Sequence, residues 1–158
     1  MAEEWRRGDY VISTDPSMLD LDVVHGFLQR SYWAAERPLD TVKRSVERSL
    51  SFGLYQAKDR LQVGFARVVT DFATFAWVCD VFIDETHRGR GLGVWLIETV
   101  VGHPELNCLR LWMLGTRDAH SLYEKAGFRP LNMPEIWMEK RADARPSGRG
   151  LLGHGGTC

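Results

Sequence analysis

Cysteine is scarce in this chain: three residues, at 79, 108 and 158, an odd number with no metal-ligand spacing among them. Neither a disulfide framework nor a thiolate metal site fits that usage, and reduced thiols in the cytoplasm are the expectation. An excess of charge of one sign is missing as well, since 20 Lys and Arg stand against 21 Asp and Glu. This removes the bulk attraction that nucleic acid or an anionic membrane would exert. No apolar run has the length of a bilayer span, and the opening Met-Ala-Glu-Glu-Trp-Arg-Arg lacks the apolar core of a signal peptide. The expected partners therefore include no nucleic acid and no membrane, and no metal is expected. A Gly-Lys-Ser/Thr ending is absent from every glycine-rich stretch, which argues against nucleoside triphosphate hydrolysis.

What is present suits one compact unit. At 158 residues, with 44% hydrophobic content and six Trp, a single core is expected over residues 1–140. Residues 141–158 are Gly-rich and aperiodic and are expected to form a mobile tail.

The most informative stretch lies in the middle. Thr74 to Ile83 is β-branched and aromatic along its length, which predicts a strand buried on both faces. Arg88-Gly89-Arg90-Gly91-Leu92-Gly93 follows, and then Val94 to Val101 reads as a well-buried helix. A glycine turn between strand and helix can aim several backbone N–H groups, together with the positive helix end, at one anion such as a pyrophosphate. A solvated basic turn is the alternative. The spacing of the glycines departs from the Gly-x-Gly-x-x-Gly of a dinucleotide fold.

Arg88, Gly91 and Gly93 make Arg-x-x-Gly-x-Gly, which resembles the acetyl-CoA pyrophosphate loop of the GNAT superfamily of N-acetyltransferases. Tyr123-Glu124-Lys125-Ala126-Gly127-Phe128 resembles the second signature of that superfamily, a short helix ending in Tyr-x-x-x-Gly-Phe. The remaining elements follow the same order. They are a strand at 9–14, helices at 18–31 and 39–50, a hairpin of 53–57 with 61–71, the strand at 74–83, the cofactor helix, a strand at 108–114, a helix at 118–126 capped by Asp118, and closing strands at 128–129 and 136–139. The resemblance covers about residues 8 to 140. It implies an α+β fold of order β-α-α-β-β-β-α-β-α-β-β, with a mixed sheet of about seven strands splayed at the cofactor site.

The resemblance also implies a chemistry, the direct transfer of acetyl from acetyl-CoA to a primary amine, here expected to belong to a small molecule. A protein or peptide acceptor, and a non-catalytic acyl-CoA-binding module, are the alternatives. Arg88, Gly89, Arg90, Gly91, Leu92 and Gly93 would hold the pyrophosphate, and Val81, Phe82 and Ile83 would offer their backbone to the pantetheine arm. Tyr123 would protonate the departing thiolate, or else be a packing residue. Asp80 is the one charged side chain between Thr74 and Ile83, and a carboxylate in so apolar a strand needs a reason. It could be a general base, an anchor for a cationic acceptor, or the partner of an arginine such as Arg67. Tyr32 and Trp33, with Asp71, Asp80 and Trp137 opposite, are the expected aromatic and acidic walls of the acceptor pocket. The Asn that many members carry before the tyrosine helix is replaced by Gly115-Thr116-Arg117-Asp118-Ala119, where Arg117 or Asp118 could substitute for it. Oligomeric state stays open, a homodimer included.

Overall fold

The structure, a computed structural model, describes residues 2–142. The tail expected over 141–158 therefore lies almost wholly outside the described residues. Among the described residues six strands and four α-helices follow one another: β1 (Glu4–Arg7), β2 (Tyr10–Ser13), α1 (Leu21–Gln29), α2 (Leu39–Glu47), β3 (Leu50–Gln56), β4 (Gln62–Thr70), β5 (Phe75–Ile83), α3 (Leu92–Val101), β6 (Leu111–Leu114) and α4 (His120–Glu124). The strands lie in one sheet in chain order. The first five are antiparallel neighbours, whereas β5 and β6 are parallel. A parallel pair needs a crossover, and α3 supplies it.

The sheet is covered on both faces. On one face α3 brings Leu92, Leu96, Ile97 and Val100 against Phe52, Val68, Ala76 and Val78. This helix is apolar around most of its circumference because it lies between the sheet and the following segments. On the other face, Val24, Phe27 and Leu28 of α1 and Val42 of α2 meet Phe65 and Phe82. Phe27 and Phe82 stack with ring centroids 3.8 Å apart. α1 begins at Leu21 rather than earlier because the Asp20 carboxylate accepts from the N–H groups of Asp22 and Val23, at 3.0 and 3.1 Å. In β3, the Tyr55 ring folds back over Gly53, so that a Cβ at 53 would collide with the phenol oxygen.

One irregularity positions the site. Phe65 faces Phe82 and Arg67 faces Cys79, so Asp80 and Val81 together oppose the single residue Ala66. This is a β-bulge, and Asp80 takes its left-handed position with φ 52°. The side-chain alternation shifts there: Ala76 and Val78 point into the α3 layer, yet Phe82 points into the α1–α2 layer.

Two details of the sequence expectation change. Glu4–Arg7 adds an edge strand, β1, that was not expected. The closing strands expected at 128–129 and 136–139 do not form, and Pro134–Ile136 is a 3-10 turn instead. Pro130 and Pro134 remove two backbone donors from that stretch, which weakens any strand ladder through it. The sheet thus has six strands where about seven were expected, within the same α+β architecture. No helix among the described residues is long and apolar enough to cross a membrane.

Candidate active site

The glycine loop does what its composition requires. Gly89 and Gly91 have φ of 76° and 72°, a region that side chains disfavour. Gly91 is the N-cap of α3, and its carbonyl accepts the Trp95 N–H at 3.1 Å, the first bond of the helix. The N–H groups of Leu92, Gly93 and Val94 then have no acceptor within the helix, and the helix dipole adds positive potential at the same point. Arg88 ties the loop to the end of β5 through Nε, which donates to the Ile83 carbonyl at 3.0 Å. Arg90 is a correction to the expected loop set. Its Nη1 donates to the Tyr10 phenol at 3.1 Å, fastening the loop to β2, and it does not line the cleft. Arg7, likewise outside the lining of the cleft, reaches the loop, its Nη2 3.6 Å from where a Gly91 Cβ would stand. Nothing in the loop motif could reveal it, because β1 brings it there from the far end of the chain.

Beyond the loop, β5 and β6 part. Their pairing runs from Phe75 with Leu111 to Val78 with Leu114 and stops. From Cys79 to Ile83 that edge of β5 has no strand partner among the described residues, and a cleft of about 1320 Å³ opens beside it. Val81, Phe82, Ile83, Arg88, Gly89, Gly91, Leu92 and Gly93 line this cleft, together with Tyr123, Asp80, Tyr32 and Trp33. Most of the expected site residues are therefore brought together.

Tyr123 stands on the last turn of α4, its ring edge-on to Phe128 at 6.0 Å. Burial, reinforced by Tyr32, Asp118 and Cys79, pushes its phenol up to about 12, so it stays protonated at neutral pH. Burial likewise pushes the Cys79 thiol up to about 11. Asp118 does not cap α4; Ala119 is the N-cap, and its N–H donates to the Thr116 hydroxyl at 3.1 Å. Thr116, Arg117 and Asp118 all line the cleft on the side of β6.

In the bulge of β5, beside Cys79, sits Asp80. Its side chain is 2% exposed, and three donors reach its oxygens: Trp33 Nε1 to Oδ1 at 3.3 Å, and Arg37 Nη1 and Arg67 Nε to Oδ2, each at 2.8 Å. Of the three sequence alternatives, the arginine partner is the one this geometry realises. Two guanidinium donors thus occupy Oδ2, and one indole N–H reaches Oδ1. Two expected pocket residues lie elsewhere. Asp71 closes the β4–β5 turn, accepting from the N–H groups of Ala73, Thr74 and Phe75 and from the Thr74 hydroxyl. Those bonds hold its carboxyl well below the usual range. Trp137 follows the 3-10 turn of residues 134–136 and is not a wall of the cleft. Arg37 and Arg67 take their place, so this end is basic and aromatic rather than acidic and aromatic. Among the described residues, no group of three or more His, Cys, Asp and Glu is placed to hold a metal ion.

Comparison with known proteins shows the family and the fold. The acetyltransferase (GNAT) domain family matches residues 51–130. A candidate acetyltransferase of Gibberella zeae is 33% identical over 145 residues, spanning 78% of this chain and 80% of its own. A crystal structure of a candidate GNAT-family acetyltransferase from Xanthomonas campestris pv. campestris is 43% identical, with a TM-score of 0.80, over 84% of this chain and 93% of that one. An acetyltransferase structure from Clostridium acetobutylicum, described with acetyl-CoA, shares the fold at 14% identity, with a TM-score of 0.61 over 89% of this chain and 96% of that one.

Proposed function

This chain belongs to the GNAT family of acetyltransferases, and from that premise we propose that it transfers acetyl from acetyl-CoA directly to a primary amine of a small molecule. The observation that carries the reading is the convergence of the α3 N-terminus, the unpaired edge of β5 and the neutral Tyr123 phenol on one cleft. The loop N–H groups, aided by Arg7, bind pyrophosphate, and the backbone of Val81 and Ile83 receives the pantetheine arm. Acetyl-CoA supplies an activated thioester. A backbone N–H near Val81, beside the bulge, donates in this reading to the thioester carbonyl oxygen as charge develops there.

Tyr123 gives its proton to the departing sulfur, a task that needs a neutral phenol. The high position of the Cys79 thiol disfavours a covalent relay, because the thiolate is the nucleophile. Attack by the amine itself is therefore the simpler route. A small acceptor is preferred to a peptide because the Tyr32 and Arg117 contact spans the two sides of the cleft.

Free-thiol release from acetyl-CoA, followed against panels of small amines and of peptides, tests this. Amine-dependent release with small amines is the expected result, and release with peptides alone would replace the acceptor class. Stabilisation by acetyl-CoA without turnover of any amine would reduce the protein to an acyl-CoA-binding module.

A further inference from the structure

The acceptor end of the cleft carries more positive charge than its own carboxylates balance, and if the acetyltransferase reading holds, this narrows the acceptor class. Arg37 and Arg67 share a single oxygen of a single carboxylate, Asp80 Oδ2. One of the two guanidinium charges is thereby left over. The Arg67 side chain is 11% exposed and that of Arg37 25% exposed, so the surplus lies in a wall that water reaches poorly. A cation there is costly unless an anion comes to it.

The arginines also have donors to offer. Among the described residues, Arg37 is engaged through Nη1, and Arg67 through Nε and through Nη1, which donates to the Ser49 hydroxyl at 3.0 Å. A guanidinium presents five N–H groups in a planar fork, and the unused ones suit a planar carboxylate. Arg30 and Arg117 line the same end, lying over the rings of Phe27 and Tyr32 at 4.6 and 3.9 Å. Over the whole cleft five arginines, Arg30, Arg37, Arg67, Arg88 and Arg117, face three carboxylates, Asp80, Glu85 and Asp118. Beside them Val69 and Trp77, cross-strand partners, remain 42% and 38% exposed and form an apolar shelf.

We propose that the acceptor is an amino acid-like molecule, a primary amine carrying a carboxylate and an apolar side group. The carboxylate sits on the Arg37 and Arg67 pair, and the side group lies over Val69 and Trp77. Because Asp80 is the bulge residue between Cys79 and Val81, a carboxylate on its arginines brings a neighbouring amine to the unpaired edge of β5. In the reaction the amine nitrogen bonds to the acetyl carbon and the thioester C–S bond breaks. Sulfur takes the Tyr123 proton and leaves as the thiol. The ammonium loses one proton to solvent before it attacks, and the nitrogen gives up a second as the amide forms, which restores the Tyr123 phenol; the carboxylate is unchanged.

The test uses the full chain and matched acceptors: leucine, methionine, phenylalanine and tryptophan, the amide and the decarboxylated amine of each, and phosphoethanolamine. Thiol release is followed for all, and the acetyl-CoA thermal shift is measured separately. At least one of the amino acids should exceed its amide and its decarboxylated amine in kcat/KM by about 100-fold or more, since a site built to bind a group rejects analogues that lack it. Arg37→Gln should raise KM for that amino acid about tenfold or more and leave KM for acetyl-CoA unchanged, and Arg37→Lys should recover part of the loss. The wild-type series decides the matter even if a variant misfolds. Equal turnover of the decarboxylated amines, preference for phosphoethanolamine, or no turnover of any amino acid while acetyl-CoA still raises Tm would overturn the carboxylate proposal alone. Absence of any acetyl-CoA shift would overturn the acetyltransferase reading beneath it.

Discussion

Tyr32 and Arg117, 85 positions apart, meet twice: the Arg117 N–H donates to the Tyr32 phenol oxygen at 3.1 Å, and the Arg117 guanidinium lies 3.9 Å from the centre of the Tyr32 ring. The contact joins the loop after α1 to the loop after β6 across the cleft. Tyr32→Ala removes both interactions, a loss of about 1–2 kcal/mol by general magnitudes for a hydrogen bond and a cation–π contact. Acceptor KM should rise about tenfold, and Tm should fall by a few degrees at most, Tyr32 being 49% exposed. Tyr32→Phe keeps the stacking and should show a smaller rise. Steady-state kinetics of the two variants side by side separates the contributions.

The loop offers a sharper test of cofactor binding. A ligand bound only by the folded state stabilises it by about 2.7 kcal/mol at a hundredfold excess over Kd. Gly91→Val should abolish most of that gain, because a β-branched residue is strained at φ 72° and would displace the first N–H groups of α3. Arg7→Ala should lower acetyl-CoA affinity more modestly, by a factor that shrinks as salt is raised. Calorimetric melting with and without acetyl-CoA, at two salt concentrations, reads both. An undiminished shift in Gly91→Val would remove the loop from the site.

Tyr123→Phe keeps the ring and deletes the proton donor. Turnover should fall by roughly 10² to 10⁴, the usual span for general acid catalysis, with cofactor affinity hardly altered. The same substitution has a signature in stability. A phenol raised to about 12 in the folded protein, against about 10 when unfolded, holds its proton more tightly in the native state. Its contribution is complete below pH 10 and is lost as pH rises towards 12. Denaturant unfolding across that window should show a shallower loss in Tyr123→Phe than in wild type, and parallel curves would contradict the placement of this phenol.

Asp80→Asn distinguishes an ion-pair partner from a base. A base could be neutralised at little cost to the fold. Removing the charge here leaves Arg37 and Arg67 side by side without an anion, and breaking a buried pair in this way costs about 3–5 kcal/mol. The variant should melt well below wild type. Full stability with lost turnover would instead restore the catalytic role.

How much of this was legible depended on distance along the chain. The Arg88 to Gly93 loop and Tyr123 each lie within a compact motif whose local geometry follows from glycine and helix-end chemistry, and both line the cleft. Asp80 stood out because a carboxylate in an apolar strand needs a partner, and Arg67 was within view as one. Arg37 was not, since its approach depends on where the loop after α1 folds back over the sheet. Asp71 and Trp137 were placed in the pocket on chemical type alone. The first serves its own turn, and the second follows two prolines that keep the segment out of the sheet. Arg7 was hidden because β1 is only four residues long and carries too little alternation to read as a strand.

The bulge at Asp80 also bears on how this chain can change in length. Upstream of it β5 fills the α3 layer with its even-numbered side chains, and downstream Phe82 fills the opposite layer. Deleting Asp80 would leave Val81 alone opposite Ala66 and restore plain alternation with Phe82 still on Phe27, at the loss of the bulge and its carboxylate, whereas deleting a residue upstream with the bulge kept would turn the start of the strand inside out. The turn between β3 and β4 bears no such constraint. Relatives should therefore differ freely in length at that turn, and within β5 only at the bulge, where one residue can be lost without putting the two layers out of step.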